Sequence, residues 1–508
     1  MNRPLATSAL ALILAAGPVL ADVTPAEVWQ NLRDSYEQMG YQVQVGSEDA
    51  AGDALTLTDV TLSSDEAEAA EFSFTMPQIA LTPVGDGSVR SVIDGQMTLV
   101  MRDAGPEGEP MGFDMTLDAP GNETISSGTP DDMRHSFVMP TMALSGRALD
   151  SENDAPLTAT LTGVEGVQTM TRAADGSGAQ TYEGGADSME MSLTASGPAL
   201  DAPEGSEATD DFAATFTIND LTMSGDGTTP AGEVNFGSQP TQALQAGFAG
   251  QGTLGMGATT GTFSASALRA DGPDQETSGS FEAASGTLAV SMSAEGLSYE
   301  GGLTDMAVNL TSSDMLFPIA YAAAENRFRL AMPVVASEAE QPFALTYLLD
   351  GLTLDHAIWQ AMDPEATLPR APSRLSIDLE GLAVLPGTFM APDAAVPAED
   401  EMPFLPRSLS IRDFSMSAVG AEADVSGELT FGDDPTQPIG TLSGTFSGVN
   451  TFLDRLVAMG VVPAEQLMGP RMMMAMFARP VDGAEDQLQT EIEFREGGSI
   501  FANGQQIQ

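Results

Sequence analysis

Apolar residues alternate at every second position through most of this chain, and the alternation slips by one residue at the same kind of word from end to end. Leu55 and Leu57 are followed by Asp59, then by Val60 and Leu62. Phe216 and Ile218 lead to Asp220, Leu221 and Met223, and Leu409 and Ile411 lead to Asp413, Phe414 and Met416. Successive strand residues point to opposite faces, so a change of parity requires one extra residue, a bulge or a sharp bend. Variants place Gly at the slip: Leu161-Thr162-Gly163-Val164, Ala294-Glu295-Gly296-Leu297, Leu349-Asp350-Gly351-Leu352 and Leu379-Glu380-Gly381-Leu382. Gly suits the left-handed backbone that one common bulge demands. The pattern predicts a mainly β chain: an elongated, strongly twisted antiparallel sheet or open β-groove with bulges and a few peripheral helices.

The first 21 residues carry a secretory pattern. Arg3 precedes an apolar run from Leu5 to Ala16, Gly17-Pro18 breaks it, and Val19-Leu20-Ala21 fits a cleavage site. The run is shorter than the roughly 20 residues that span a bilayer, and no later segment reaches that length. These residues predict export to the periplasm with cleavage after Ala21, an extracellular destination being the alternative, and no membrane anchor afterwards. The remainder divides into a β-rich region over 22–325 that opens with a helix and a β-rich region over 326–508 with helices near 355–362 and 451–477.

There is no cysteine, so packing alone holds the fold. Seventy-three acidic residues face 18 basic ones, all arginine, for a formal charge of −55. Such a surface disfavours nucleic acid, whose phosphates need clustered Lys and Arg, and anionic headgroups. It favours solubility through mutual repulsion. The acids are dispersed, with neither a D-x-D-x-D-G loop nor a glycine-rich calcium repeat among them.

Thr24, Pro25 and Glu27 form a capping box ahead of Val28, Trp29, Leu32 and Tyr36 at helical spacing, and Gly40 ends the helix. Trp29 and Tyr36 are expected to dock it on the sheet. Further helices are expected from Asp355 to Met362, with Ile358, Trp359 and Met362 on one face, from Thr451 to Met459, and after Pro463, where Gly469-Pro470 interrupts before Met472 to Phe477. Strands follow over Leu488–Phe494 and Ser499–Ala502, then an Asn503-Gly504 hairpin turn. Phe74-Thr75-Met76-Pro77 echoes Phe137-Val138-Met139-Pro140, with a fainter copy at Leu330-Ala331-Met332-Pro333. Proline donates no ladder bond, so these segments belong at an edge or a bulge. Asp86-Gly87, Asp175-Gly176, Asp226-Gly227 and Asp271-Gly272 read as turns, and 200–211, 225–242 and 386–407 as loops.

The catalytic inventory is thin. His135, in a polar stretch after Asp131-Asp132, reads as a surface residue; His356 follows Asp355 at a helix start. No G-x-S-x-G word surrounds a serine, and two histidines without cysteine make no ordinary structural zinc site. The pairs Asp131-Asp132, Asp210-Asp211 and Asp433-Asp434 are of the kind that arises by chance in so acidic a chain. Arg327 with Arg329, and Arg370 with Arg374, either grip an anion or neutralise neighbouring carboxylates, the second being expected. Met468, Met472, Met473, Met474 and Met476 form either an adaptable apolar pocket or core beneath a sheet. No catalytic, cofactor-binding or metal-binding residue is assigned.

Phe446-Ser447-Gly448-Val449-Asn450, Phe452-Leu453-Asp454-Arg455-Leu456, Met459-Gly460, Met476-Phe477-Ala478-Arg479-Pro480 and Ser499-Ile500-Phe501-Ala502-Asn503-Gly504-Gln505 carry a resemblance. With Leu368-Pro369-Arg370-Ala371-Pro372 and Leu375-Ser376-Ile377-Asp378-Leu379, the chain resembles an exported alphaproteobacterial family labelled domain of unknown function 2125. That resemblance implies an envelope location and brings no activity. A weaker likeness, in strand pattern and terminal hairpin, is to AsmA-like periplasmic proteins, which implies a curved sheet with an apolar groove for lipids. Three functions are therefore weighed: a non-enzymatic envelope protein binding lipid or another amphiphile on an apolar β-groove; a structural or interaction module with a fully packed sheet; and a secreted hydrolase, which would need His135 or His356 beside a carboxylate and a hydroxyl.

Overall fold

The computed structural model describes residues 22–38, 40–64, 70–104, 110–149, 156–198, 209–232, 236, 239–268, 274–387, 404–432 and 434–507. The secretory pattern of residues 1–21, the turn at Asp271-Gly272, Asp433 and most of the loops expected at 200–211 and 386–407 lie outside them.

Helix α1 (Pro25–Gln38) starts as its sequence dictates: Glu27 N–H donates to Thr24 Oγ1 (3.3 Å) and Thr24 N–H to Glu27 Oε2 (2.8 Å). Ten strands follow: β1 (Tyr41–Gln44), β2 (Ser47–Ala51), β3 (Ala54–Ser64), β4 (Ala70–Pro83), β5 (Val89–Asp94), β6 (Met97–Ala104), β7 (Pro110–Asp118), β8 (Glu123–Thr129), β9 (Asp132–Leu149) and β10 (Pro156–Arg172). The long strands β11 (Gly178–Pro198) and β12 (Thr209–Thr229) lead to α2 (Pro240–Gln245). Then come β13 (Ala249–Met256), β14 (Thr259–Leu268), β15 (Gln275–Ala283), β16 (Ser285–Ser293), β17 (Gly296–Ser312), β18 (Ile319–Met332) and β19 (Ser337–Leu354). After α3 (His356–Met362) lie β20 (Ser373–Leu385), β21 (Leu405–Ala418), β22 (Ala421–Thr430) and β23 (Ile439–Ser447). Helices α4 (Val449–Ala458) and α5 (Met468–Phe477) precede β24 (Arg479–Pro480), β25 (Gln487–Arg495), β26 (Ser499–Ala502) and β27 (Gln505–Gln506).

All 27 strands belong to one antiparallel sheet, as the alternation predicts. Six pairs of short strands share a position, so the sheet has 21 successive positions. At about 4.8 Å between strands its arc is roughly 100 Å. Sharing follows one scheme twice: β5 and β6 lie end to end along β4 and meet β8 and β7, which lie along β9. Between β12 and β17, strands β13, β14, β15 and β16 do the same. The first strands pair only with β3 and the last only with β26, so the described sheet is open. Residue 325, where composition suggests a division, falls inside β18.

The parity slips are bulges. Asp59, Asp220 and Asp305 have φ of 49°, 50° and 47°, and Gly163 and Gly351 have 63° and 69°. Pro77 and Pro140 stand opposite Asp59 and Gly163, where no ladder bond is lost. A bulge also falls between Ile411 and Phe414. Two expected slips are something else. Gly296 opens β17 directly after the Ala294-Glu295 turn, and Gly381 pairs in register inside β20. Asp86-Gly87 and Asp175-Gly176 turn as expected, whereas Asp226-Gly227 lies within β12, where both residues are laddered to β11 on one side and β13 on the other. Gly469 and Pro470 open α5 instead of interrupting a helix, the first turn having no use for a proline N–H.

Candidate functional site

The bulges line up. Asp59, Pro77, Pro140, Gly163, Asp187, Asp220, Asp305, Ala324 and Gly351 sit at corresponding places on neighbouring strands, and both split positions break at the same level. Each bulge bends its own strand; aligned, they crease the sheet along a line crossing β3 to β19.

One face of the creased sheet is apolar on both sides of the line. Above it, one cross-strand row runs Val43, Leu62, Phe74, Leu99, Met115, Gly146 and Leu157. The same row continues through Leu193, Ala214, Phe263, Gly279, Leu310 and Ile319. Below it, Phe137, Gly166, Gly184, Met223, Leu254 and Leu288 lead to Gly301, Phe328, Tyr347, Ile377, Phe414 and Val425. Tyr299, Leu330, Leu345, Leu379 and Ile411 form the next row. The opposite face reads Thr158, Ser192, Thr215, Thr262, Ser280 and Asn309, with hydroxyl pairs such as Thr215 and Thr262 at 2.7 Å.

The apolar face is the inside of the bend. Residues flanking the crease, including Val60, Met76, Ala186, Ile218, Met306 and Ala323, are buried. Those farther out are open: Met223 is 49 % exposed, Phe328 38 %, Leu345 40 %. Helix α1 closes one end. Its Val28 and Trp29 share a core with Leu62 and Met97 from one wall and Leu57, Leu81, Val89 and Met133 from the other. Helix α2 covers a smaller stretch, Leu244 packing with Val334, Val335, Met292 and Leu297. Away from these two helices, lining residues such as Met223, Phe328 and Leu345 are part-exposed, and α3 and α4 pack on β18 and β22.

Glycine sets the depth of the lining. Phe137 lies over Gly166, Phe216 over Gly261, Phe328 over Gly301 and Phe343 over Gly381; a Cβ at Gly166 would stand 2.6 Å from Phe137 Cζ, and at Gly301 2.8 Å from Phe328 Cε1. Rings laid on bare backbone flatten the wall and screen its peptide groups. Sequence reasoning missed these positions; the signal was Gly recurring in phase with the apolar residues.

Two depressions of 720 and 790 Å³ lie on the other face, lined chiefly by Ser291, Ser298, Glu380, Ser410 and Glu428 in one and Ser264, Ser266, Ser278 and Thr311 in the other. They are dents in a twisted sheet carrying mostly short side chains, the second lined also by Ala195, Phe212, Ala213 and Ala265.

The titratable candidates do not converge. His135, expected at the surface, is buried at 3 % exposure. It lies on the apolar face between Met133 and Phe137, which outweighs its polar sequence neighbours. Its Nδ1 is 2.8 Å from Ser126 Oγ, and Nε2 has no partner. Burial depresses its pKa to about 4. His356 is exposed at the first position of α3, on a separate element, where Asp355 caps the helix through Ala357 N–H at 2.8 Å. Asp131 is in a turn, Asp132 begins β9, and Asp210 and Asp211 point to opposite faces of β12. Arg327 pairs with Glu325 at 3.2 Å and Arg374 with Asp350 at 3.9 Å. Arg370 stacks over Trp359 and donates to the Asp363 carbonyl. Burial opposes the charge on the Asp363 carboxylate, but amides of Leu368 and Thr367 outweigh it and hold the pKa below the usual value. No group of three potential metal ligands occurs among the described residues, and no described helix is long and apolar enough to cross a membrane.

The family model described as "Uncharacterized protein conserved in bacteria (DUF2125)" matches residues 265–501, from the end of β14 to β26. No curated protein and no solved structure matches the chain.

Proposed function

From a chain whose residues 265–501 belong to this family of bacterial proteins, we propose a non-enzymatic envelope protein that holds the acyl part of a lipid or similar amphiphile in its creased trough. The observation that carries this reading is the apolar inner face, continuous across strand after strand, with side chains such as Met223, Phe328 and Leu345 left exposed along it. Contiguous apolar patches beyond a few hundred Å² mark interaction sites in soluble proteins. A lining of Leu, Met and Phe over Gly offers few hydrogen-bonding groups beyond hydroxyls such as those of Tyr299 and Tyr347, so it selects ligands chiefly by apolar surface. The outer face supplies the solubility such a lining would otherwise remove, with acids and hydroxyls on alternate residues of the same strands.

Mass spectrometry of an organic extract of the gently purified protein tests the reading. A phospholipid or other amphiphile at near-equimolar amount is expected. Replacing Phe328 and Leu330 together by Asp, both already part-exposed, should reduce that amount at least ten-fold while the fold persists. Wild-type protein that is free of amphiphile, and stays so after mixing with phospholipid vesicles, would sink it in favour of a packed scaffold.

A further inference from the structure

Exposed apolar surface by itself names no ligand: Met468, Met472 and Met476 of α5 are 69 %, 70 % and 54 % exposed, standing in water rather than in a core. A hydrogen-bonding group set among hydrocarbon is more specific, and the floor of the trough holds one. Asn326 lies on the inner face of β18, two residues from Phe328. Its direct cross-strand neighbours are Leu303 of β17 and Leu349 of β19. This row belongs to the floor: Ala323, at the crease, is buried, whereas Phe328, farther up the wall, is 38 % exposed. An amide in such a place loses water and needs partners in exchange. Asn326 has one, its Nδ2 donating to Tyr347 Oη at 3.3 Å, and both side chains are half-buried.

That single bond leaves much of the pair unused. An amide has two N–H donors and a carbonyl acceptor, and a phenol donates as well as accepts. With the bond to Tyr347 counted, one Asn326 N–H, the Asn326 Oδ1 acceptor and the Tyr347 O–H remain for a ligand. A group that satisfies all of them must both donate and accept, as a hydroxyl does. An ester carbonyl accepts only and leaves Oδ1 bare. A carboxylate does the same and brings a charge that this face does not neutralise, because the arginines of β18, Arg327 and Arg329, alternate onto the opposite face. Depth puts the hydroxyl on the hydrocarbon chain, since a charged or strongly hydrated head stays in water while the tail lies along the floor. Resting on the reading of the trough as an amphiphile site, we propose that Asn326 and Tyr347 form a polar station selecting an amphiphile whose chain carries an uncharged hydroxyl away from its head.

Competition against a fluorescent fatty acid bound to the full chain tests it, with glycerol monoricinoleate and glycerol monooleate, which differ only in a hydroxyl partway along the chain. The hydroxylated lipid should compete about ten-fold better for the wild type, as the net effect of one or two hydrogen bonds. Asn326→Leu, whose side chain matches its neighbours, should bring the two lipids within about two-fold of each other by weakening the hydroxylated one alone. Tyr347→Phe, which removes a hydroxyl and keeps the ring, should reduce the preference to about three-fold, and it serves as the test if Asn326→Leu does not fold. Equal competition by the two lipids in the wild type overturns the polar station and leaves the trough reading standing. A preference that survives both substitutions also overturns it. Wild-type protein that binds neither the fluorescent fatty acid nor either glyceride overturns both.

Discussion

His135 shows how strongly position on a face governs a side chain. Alternation with Met133 and Phe137 sends it to the apolar face, and burial lowers its pKa from 6.5 to about 4. The unfolded chain then takes up the proton first, so the stability associated with neutral His135 is complete above about pH 6.5 and drains as pH falls toward 4. At about 1.4 kcal/mol per unit, the loss by pH 4.5 is about 2–3 kcal/mol. Trp29 shares a core with Met133, two residues from His135 on the same strand, so its fluorescence, in a Trp359→Phe background, reports this region. The urea midpoint should fall between pH 7 and 4.5 by more in the parent than in His135→Gln; equal falls would refute it. At the crease the requirement is conformational. Asp220 stands at φ 50°, which Asp tolerates and a β-branched residue does not. Asp220→Val should cost about 1–3 kcal/mol, and Asp220→Gly far less. Similar losses from both would show that the side chain, and not the backbone angle, matters there.

A strand in this sheet is defined by what its neighbours leave room for. Gly301 has no Cβ because the Phe328 ring occupies the space, and Thr287 O would be 3.2 Å away on the other side. Gly301→Ala should therefore lower stability by about 1–3 kcal/mol, and Phe328→Leu should return part of that loss, a coupling that a double-mutant cycle measures directly. Additive effects would mean that the ring does not rest on the glycine. The same pairing explains what the sequence could reveal. Asp59, Asp220 and Gly163 are legible as bulges, because residues that tolerate positive φ coincide there with a change of apolar parity. Gly381 misleads, because glycine serves two ends, a left-handed backbone or space for a ring such as Phe343, and one chain read alone does not separate them. The capping box of α1 and the Asn503-Gly504 turn, at φ 50° and 82°, are local and were readable. Alignment of the bulges into one crease was not, since it depends on the register between strands far apart in sequence.

At the scale of the molecule, the sheet is close to one-dimensional: almost every strand touches only the strands beside it. In such arrays stability is a sum of local terms and nearest-neighbour terms, so cooperativity need not extend from end to end. The local terms here are uneven. Thirteen buried side chains between Val23 and Met133 form one core under α1, whereas the second core centres on Leu244, Val334 and Val335. Between them, β10 and β11 pair over long registers but present their apolar side chains to an open trough. Hydrogen exchange should therefore show the slowest amides in β3, β4 and β9 at the crease beneath α1. Those in β10, β11 and the outer halves of β12 should exchange through local openings of lower free energy. An occupied trough alters this order, because a ligand bound only by the folded state stabilises the strands it covers in proportion to its affinity and concentration. Protein with its amphiphile should protect β10 to β19 more than protein stripped by organic extraction and refolded, while β3 and β4 beneath α1 stay unchanged. Uniform exchange along the chain would mean that the sheet opens as a single unit, and the trough would then have no soft wall for a ligand to firm.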